Sequence, residues 1–387
     1  MQKEIVSNRR HIHMHPETSV KEIETTKFIK AKLEEIGYKN IHVGVPGHSV
    51  GVWTDIEGVS PHRIALRADI DALPLCENNE LEYKSVNAGA AHLCGHDAHT
   101  AMLLGAAKIL YELQPLPCNV RLIFQPAEEM RDPATNTPGA ALMIASGALE
   151  NVDMRFGLHV RPSIPTGLFS VHIGGTMSEA GMFTLKLKGR GGHGSVPHEC
   201  IDPITCACDI VNAWQKIISR EVRSGVPAVL SLGKFIADGS WNTVADEVEI
   251  KGTTRTFDGG TSEFILNRMK EIAEGYSSAM RCKADFSGFV SDRAVVNNAE
   301  ACSVVSNAVV SLYGSQSLID AGRFMGTEDF SCYQEKAKSA LFFLGIGNAE
   351  KGTTYPLHSP QFKLDEDVLC KGAAVMAAIP FAYNSRL

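Results

Sequence analysis

The chain has 387 residues, of which 44% are hydrophobic and 21% charged. That balance excludes wholesale disorder, and at roughly 100–200 residues per domain the length predicts two or three domains. The formal net charge is −7 and no long basic run appears, which argues against an electrostatic nucleic-acid binder.

No stretch reaches about 18 uninterrupted apolar residues, so no transmembrane helix is expected. Residues 1–16 carry Arg9, Arg10, His11, His13 and His15 but no apolar core, unlike a secretory signal. The ten cysteines are scattered singly, apart from Cys206 and Cys208. In a chain long enough to bury a real core, that usage predicts reduced thiols and a cytoplasmic protein.

In chain order, the apolar spacing predicts a helix over 23–36, ended by Gly37, then short strands over 49–53 and 63–68. Residues 100–113, rich in Ala, Leu and Met, predict a buried helix, and 119–125 a central strand ending at Pro126. A helix over 139–147 and a strand over 155–160 follow. Strands alternating with helices predict an α/β fold with a mainly parallel sheet. The texture changes near residue 181. Residues 182–188 alternate apolar and polar, 203–219 predict a helix, 229–235 and 248–254 strands, 262–280 a long helix and 283–290 a strand. That β-α-β-β-α-β order is ferredoxin-like. After about residue 291 the α/β texture returns, with a strand over 341–344 and a last helix over 366–378. The expected organisation is a domain of residues 1–180 and 292–387 interrupted by an inserted α+β domain of residues 181–291.

The densest chemical cluster is Cys94-Gly95-His96-Asp97-Ala98-His99. Thiolate, imidazole and carboxylate are the metal-binding side chains, and Cys-x-His can place two of them on one ion. A buried cysteine beside helix-capping histidines is the competing reading. Gln125-Pro126-Ala127-Glu128-Glu129 follows the central strand, where sites of open α/β sheets lie. One carboxylate there can bind a cation while its neighbour moves a proton; a solvated acidic turn is the alternative. Asp69 and Asp71 follow the strand over 63–68 and either suits the orientation of a metal-bound histidine, or a simple turn or helix cap. His159 ends another strand and His358 lies in a turn, each open to a purely structural role. Their convergence at one sheet's strand ends decides more than any of them alone. Cys94, His96, Glu129, His159 and His358 are too many ligand candidates for one structural zinc, and suit two divalent ions about 3.5–4 Å apart.

With these motifs go Gly191-Gly192-His193-Gly194-Ser195, Gly326-Thr327-Glu328-Asp329-Phe330 and Leu357-His358-Ser359-Pro360. With Leu66-Arg67-Ala68-Asp69-Ile70-Asp71-Ala72-Leu73-Pro74 and Gly157-Leu158-His159 these make seven short motifs, which in their chain order resemble the di-metal aminoacylase/carboxypeptidase-type amidohydrolases. The resemblance is stronger to the branch of hippurate hydrolases, N-acyl-amino-acid amidohydrolases and auxin-conjugate hydrolases, and it covers essentially the whole chain. It implies a metal-dependent hydrolase of N-acyl amino acids. Cys94, His96, Glu129, His159 and His358 would be the metal ligands, Glu128 the general base and Asp71 a carboxylate behind the ligands. His193 would come from an inserted domain that serves as lid and dimerisation surface of a homodimer, and would enter the partner's site; an exposed loop histidine is the competing reading. Asn242 and Arg255 match positions that would hold a substrate carboxylate, with a solvated sheet face as the alternative for Arg255. The implied cofactors are two divalent ions per subunit, Zn, Mn, Co or Ni. A di-metal exopeptidase acting on short peptides would use the same machinery, and a non-enzymatic metal-binding protein would not need Glu128. One departure stands out: residues 130–138 form an extra loop directly after Glu129, where the family usually passes through a few glycines into the next helix.

Overall fold

The computed structural model describes residues 1–335 and 337–385. Its chain divides into two compact units. One comprises residues 1–174, 296–322 and 329–387, the other residues 175–295 and 323–328.

The first unit opens with α1 (Gln2–Met14) and α2 (Ile23–Ile36), the latter stopped by Gly37 at φ +121°. It continues through β1 (Ile41–Val45), β2 (His48–Ile56), β3 (Gly58–Asp69), α3 (His96–Glu112), β4 (Leu116–Gln125), α4 (Gly139–Ala145), β5 (Met154–Pro165) and β6 (Phe169–Ser170). The second unit holds β7 (Glu179–Lys188), β8 (Gly192–His193), α5 (Pro203–Lys216), β9 (Val229–Ala237), β10 (Thr243–Val244), β11 (Glu247–Thr256), α6 (Gly259–Ala279) and β12 (Lys283–Asp292). The chain then returns to the first unit with α7 (Ala299–Tyr313), β13 (Leu318–Ile319), β14 (Lys338–Gly347) and α8 (Leu369–Asn384).

The sheet of the first unit runs β1-β2-β4-β3-β5-β14-β6-β13. Its central block, β4-β3-β5-β14, is parallel, while β1-β2, β2-β4 and β14-β6 pair antiparallel. A parallel strand is covered on both faces and therefore reads as a continuous apolar run. Accordingly Ile64, Leu66, Ala68, Val120, Leu122, Phe124, Phe156, Leu158, Phe342 and Leu344 are all buried. They share one core with α3, α7 and α8. β3, β4 and β5 all point their carboxyl ends the same way, which is where such sheets carry their sites. Among the described residues no helix is long and apolar enough to cross a membrane.

The second unit is a four-stranded antiparallel sheet ordered β9-β11-β7-β12. With one helix between β7 and β9 and another between β11 and β12, this is the ferredoxin-like arrangement. Phe183, Leu185 and Leu187 alternate inward along β7 onto Trp214 of α5 and Met269 of α6. Asp202 caps α5 by accepting from the Ile204 and Thr205 amides, with Pro203 in the first helical position.

The last helix, α8, runs on to Asn384, past the expected end at residue 378, and three other helices depart from the expected pattern. α1 forms although Arg9 and His13 lie on its buried side, because both are paired with Asp97 inside. α3 starts at His96 rather than at residue 100, since its first turn is buried and polar. α7 is a helix rich in valine, held by Asn298, whose side chain accepts from the Glu300 and Ala301 amides.

Candidate metal centre

The strand ends of the first unit bring Asp71, Cys94, His96, Glu128, Glu129, His159 and His358 into one cluster. Gly95, at φ +96°, makes the turn that lets Cys94 and His96 face the same point; a Cβ there would lie 2.4 Å from Val160 Cγ2. His96 is the first residue of α3, His159 sits within β5, and His358 occupies a turn at φ +65°. Three sets of donor atoms result among these residues, Cys94/His96/His159, Cys94/Glu129/His358 and His96/Glu128/Glu129, each spanning no more than 4.8 Å, and Cys94 belongs to the first two. Its Sγ lies 3.6 Å from His159 Nε2 and 3.4 Å from His358 Nε2. Glu129 Oε1 lies 3.5 Å from His358 Nε2 and 3.7 Å from His96 Nε2. Glu128 Oε2 is 3.9 Å from the same His96 nitrogen.

The imidazoles are turned by what stands behind them. His96 Nδ1 donates to the backbone oxygen of Asp71 (3.0 Å), with Asp71 Oδ1 at 3.2 Å, which leaves Nε2 facing the cluster. His159 Nδ1 donates to the Val160 oxygen (2.7 Å), again freeing Nε2. Asp71 Oδ2 accepts from Ser19 Oγ (2.6 Å) and from the Glu129 amide (2.9 Å), so one carboxylate fixes both a histidine and the acidic turn.

The chemistry of this donor set fits divalent cations. His96 Nε2 and Glu129 Oε1 are buried and make no hydrogen bond. Burial, with Glu129, Glu128 and Asp69 close by, pushes the Cys94 thiol well above its usual range. Burial pushes the Glu129 carboxyl up to about 7, against the pull of His96. Burial alone would lower His96, yet Asp69, Asp71 and Glu129 push it up to about 10. Donors that must gather protons to lie side by side are suited to positive charge at their centre.

Sequence reasoning singled out Asp69 and Asp71 as supports but missed the others. His99 is satisfied on both sides, donating from Nδ1 to Asp69 Oδ1 (2.6 Å) and accepting at Nε2 from the Val160 amide (2.9 Å). Asp69 and Asp329 both accept from Arg67 (2.8 and 3.1 Å), and Asp329 also accepts from Gln125 (2.8 Å) and the Ala140 amide (2.8 Å). Asp329 stands in a motif already quoted, so its identity was a usable signal. Ser19 and Glu22 carried none, since polar residues before a helix usually face solvent. The extra loop at 130–138 closes on itself: Asp132 accepts from the Ala134 amide (3.0 Å) and Thr135 Oγ1 (2.7 Å), and lies 3.3 Å from His48 Nε2 of β2.

The other predicted residues lie in the second unit. His193 is exposed on the two-stranded ribbon of β8 and β10, opposite Thr243, and its Nδ1 accepts from the Ser195 amide (3.2 Å). Asn242 is exposed beside it, its backbone oxygen accepting from the Gly194 amide (2.9 Å). Arg255 is half-buried on β11 and donates to the Thr254 oxygen (2.9 Å).

An α/β unit with a clustered Cys/His/Glu donor set at its strand ends, interrupted by a ferredoxin-like unit, defines a class of metal-dependent hydrolases. A sequence model of peptidase family M20/M25/M40 matches residues 65–381, and the chain belongs to that family. It is 37% identical to thermostable carboxypeptidase 1 of Saccharolobus solfataricus, over 99% of this chain and 96% of that protein. It is 38% identical to IAA-amino acid hydrolase ILR1-like 2 of Arabidopsis thaliana (98% and 85%) and 36% identical to N-acetylcysteine deacetylase of Bacillus subtilis (97% and 95%). The crystal structure of the Bacillus subtilis YXEP protein, described as a dinuclear metal binding peptidase of the M20 family, superposes with a TM-score of 0.86 at 33% identity, covering 100% of this chain and 99% of that one.

Proposed function

We propose that this protein is a metal-dependent amidohydrolase that cleaves the amide bond of N-acyl amino acids, using two divalent ions per subunit and Glu128 as general base. The observation that carries the reading is the pair of donor sets sharing Cys94, with Glu128 at their edge. Relatives named for deacetylation of N-acetylcysteine and hydrolysis of IAA–amino acid conjugates support the substrate class.

In this reading Cys94, His96, Glu129, His159 and His358 hold the ions, Zn, Mn, Co or Ni. When bound, such ions polarise the scissile carbonyl and make water acidic near neutral pH. Glu128 accepts the proton of the attacking water and later delivers it to the leaving nitrogen. Asp71 keeps His96 and the Glu129 backbone in place. His193 donates a hydrogen bond to the developing oxyanion, reaching the site of a second copy of the chain. Asn242 and Arg255 hold the substrate's free carboxylate, the arginine by a charge-assisted fork. Residues 1–180 and 292–387 are the catalytic domain, and residues 181–291 the lid and dimerisation domain of a cytoplasmic homodimer whose only other partner is a small molecule.

The test is a comparison of N-acetyl, N-benzoyl and other N-acyl amino acids with dipeptides, on enzyme loaded separately with each metal. N-acyl amino acids should be turned over with the higher kcat/KM. A consistent preference for dipeptides would assign the chain to the exopeptidases, a reading that the similarity to carboxypeptidases favours. Glu128→Gln should retain its metals while kcat falls about 10²–10⁴-fold; a variant within about threefold of wild type would overturn the assignment of the base.

A further inference from the structure

Three backbone amides flank Glu128, those of Ala127, Glu129 and Met130, and each is held by a side chain from a distant part of the sequence. The Ala127 amide donates to Glu22 Oε1 (2.8 Å), the Glu129 amide to Asp71 Oδ2 (2.9 Å) and the Met130 amide to Ser19 Oγ (3.1 Å). Ser19 donates its own proton to Asp71 (2.6 Å), so two of the three anchors are joined. Glu22 is wholly buried at the start of α2, and its other oxygen, Oε2, has no hydrogen-bond partner.

The backbone between these anchors is in a conformation it would not choose alone. Ala127 has φ +54°, the left-handed region that residues with a Cβ rarely enter. Such a conformation persists only where surrounding contacts over-determine it. Here the Ala127 oxygen accepts from the Gly139 amide (3.0 Å), and a Cβ at Gly139 would sit 1.7 Å from the Pro126 oxygen. Glu22 supplies the opposing constraint, on the amide side of the same residue. A turn of φ at Ala127 would swing the next side chain, and the next side chain is Glu128.

We propose that Glu22 is a positioning residue which, through its bond to the Ala127 amide and together with Ser19 and Asp71, locks the left-handed turn that aims Glu128. The inference rests on Glu128 being the general base. It concerns the segment before α2, none of whose residues belongs to the Cys94/His96/His159 or Cys94/Glu129/His358 donor sets. Burial and the neighbouring Asp71 carboxylate push the Glu22 carboxyl up to about 8, so glutamine, which retains an acceptor oxygen and the same volume, is its conservative replacement.

Glu22→Ala, Glu22→Gln and Glu22→Ala/Ala127→Gly should be prepared as metal-replete enzyme, with metal content measured by elemental analysis. Misplacing a catalytic group by about 1 Å costs on the order of 10²-fold. Glu22→Ala should therefore lose about 10–100-fold in kcat with KM and metal content unchanged. Glu22→Gln should restore kcat to within about threefold of wild type. Ala127→Gly added to Glu22→Ala should recover part of the loss, because glycine enters the left-handed region without the Cβ penalty. In a Glu128→Gln background Glu22→Ala should cost nothing further, as expected for a residue acting only through Glu128. A loss shared equally by the alanine and glutamine variants, a loss confined to metal content, or a full additional loss in the Glu128→Gln background would each overturn the proposal. Hydrogen exchange of the 126–130 segment reads the clamp without reference to activity: protection should fall in Glu22→Ala and return in Glu22→Gln. Unchanged protection overturns the clamp itself. Lost protection with an active Glu128→Gln enzyme would instead overturn only the assignment of the base.

Discussion

Cys94 is the residue shared by the Cys94/His96/His159 and Cys94/Glu129/His358 donor sets. His159 contributes to one set and His358 to the other, while the Cys94 sulfur lies within 3.6 Å of a nitrogen from each. Removing the shared atom should therefore differ in kind from removing either flank. Cys94→Ala should lose most of both ions, whereas His159→Ala and His358→Ala should each retain about one per chain, read by elemental analysis after removal of loosely held metal. If Cys94→Ala keeps both ions, the sulfur is not a shared ligand. The same dependence should appear in stability. A ligand that binds only the folded state stabilises it by about 2.7 kcal/mol at a hundredfold excess over its dissociation constant. A strong chelator should lower the melting temperature of the wild type and leave that of Cys94→Ala nearly unmoved.

At the scale of elements, the site depends on how α1 and α3 are joined. Arg9 of α1 is fully buried and donates from Nε to Asp97 Oδ2 (2.7 Å), one residue beyond His96; His13 Nδ1 lies 2.8 Å from the same oxygen. The buried Asp97 carboxylate, which desolvation would otherwise neutralise, is held well below the usual range by Arg9 and His13. Removing one partner of such a pair leaves an uncompensated charge and costs about 3–5 kcal/mol. Arg9→Met should destabilise the protein by that order in denaturant unfolding, and Asp97→Asn added to it should recover part of the loss. Equal stability of Arg9→Met and wild type would show that the pair holds nothing together. This joint also explains what was legible in the sequence and what was not. β3, β4 and β5 announced themselves as short, mostly apolar runs interrupted by Arg67, Arg121 and His159, and the alternation along β7 and β11 announced a sheet with one covered face. The motifs at the strand ends pointed to Cys94, His96, Glu128, Glu129, His159 and His358, which the fold brings together. α1 and the first turn of α3 were illegible for one shared reason: their inward side is charged, and a buried ion pair between residues 9 and 97 has no local pattern. Ser19 and Glu22 were illegible because their partners, the amides of Met130 and Ala127, are backbone groups more than a hundred residues away.

At the scale of the whole molecule, the two units carry different kinds of chemistry. The cluster of donors lies at the strand ends of the first unit, while His193 is an exposed residue of a short ribbon on the second, held by Ser195. An exposed imidazole has little to contribute to catalysis until something covers it, and the proposed occupant is the site of a second copy in a symmetric dimer. That arrangement makes a prediction no single-chain enzyme shares. A His193→Ala chain and a Glu128→Gln chain, each inactive alone, should regain activity when assembled together by co-expression or joint refolding. In the mixed dimer one site receives the intact Glu128 of its own chain and the intact His193 of its partner, and the other site receives neither. With assembly free of preference, half of all dimers are mixed, so about a quarter of all sites become competent. Differently tagged chains allow the mixed dimer to be purified, and its activity per site should then approach half that of wild type. Verified mixed dimers no more active than their parents would place the action of His193 within its own chain or outside catalysis altogether.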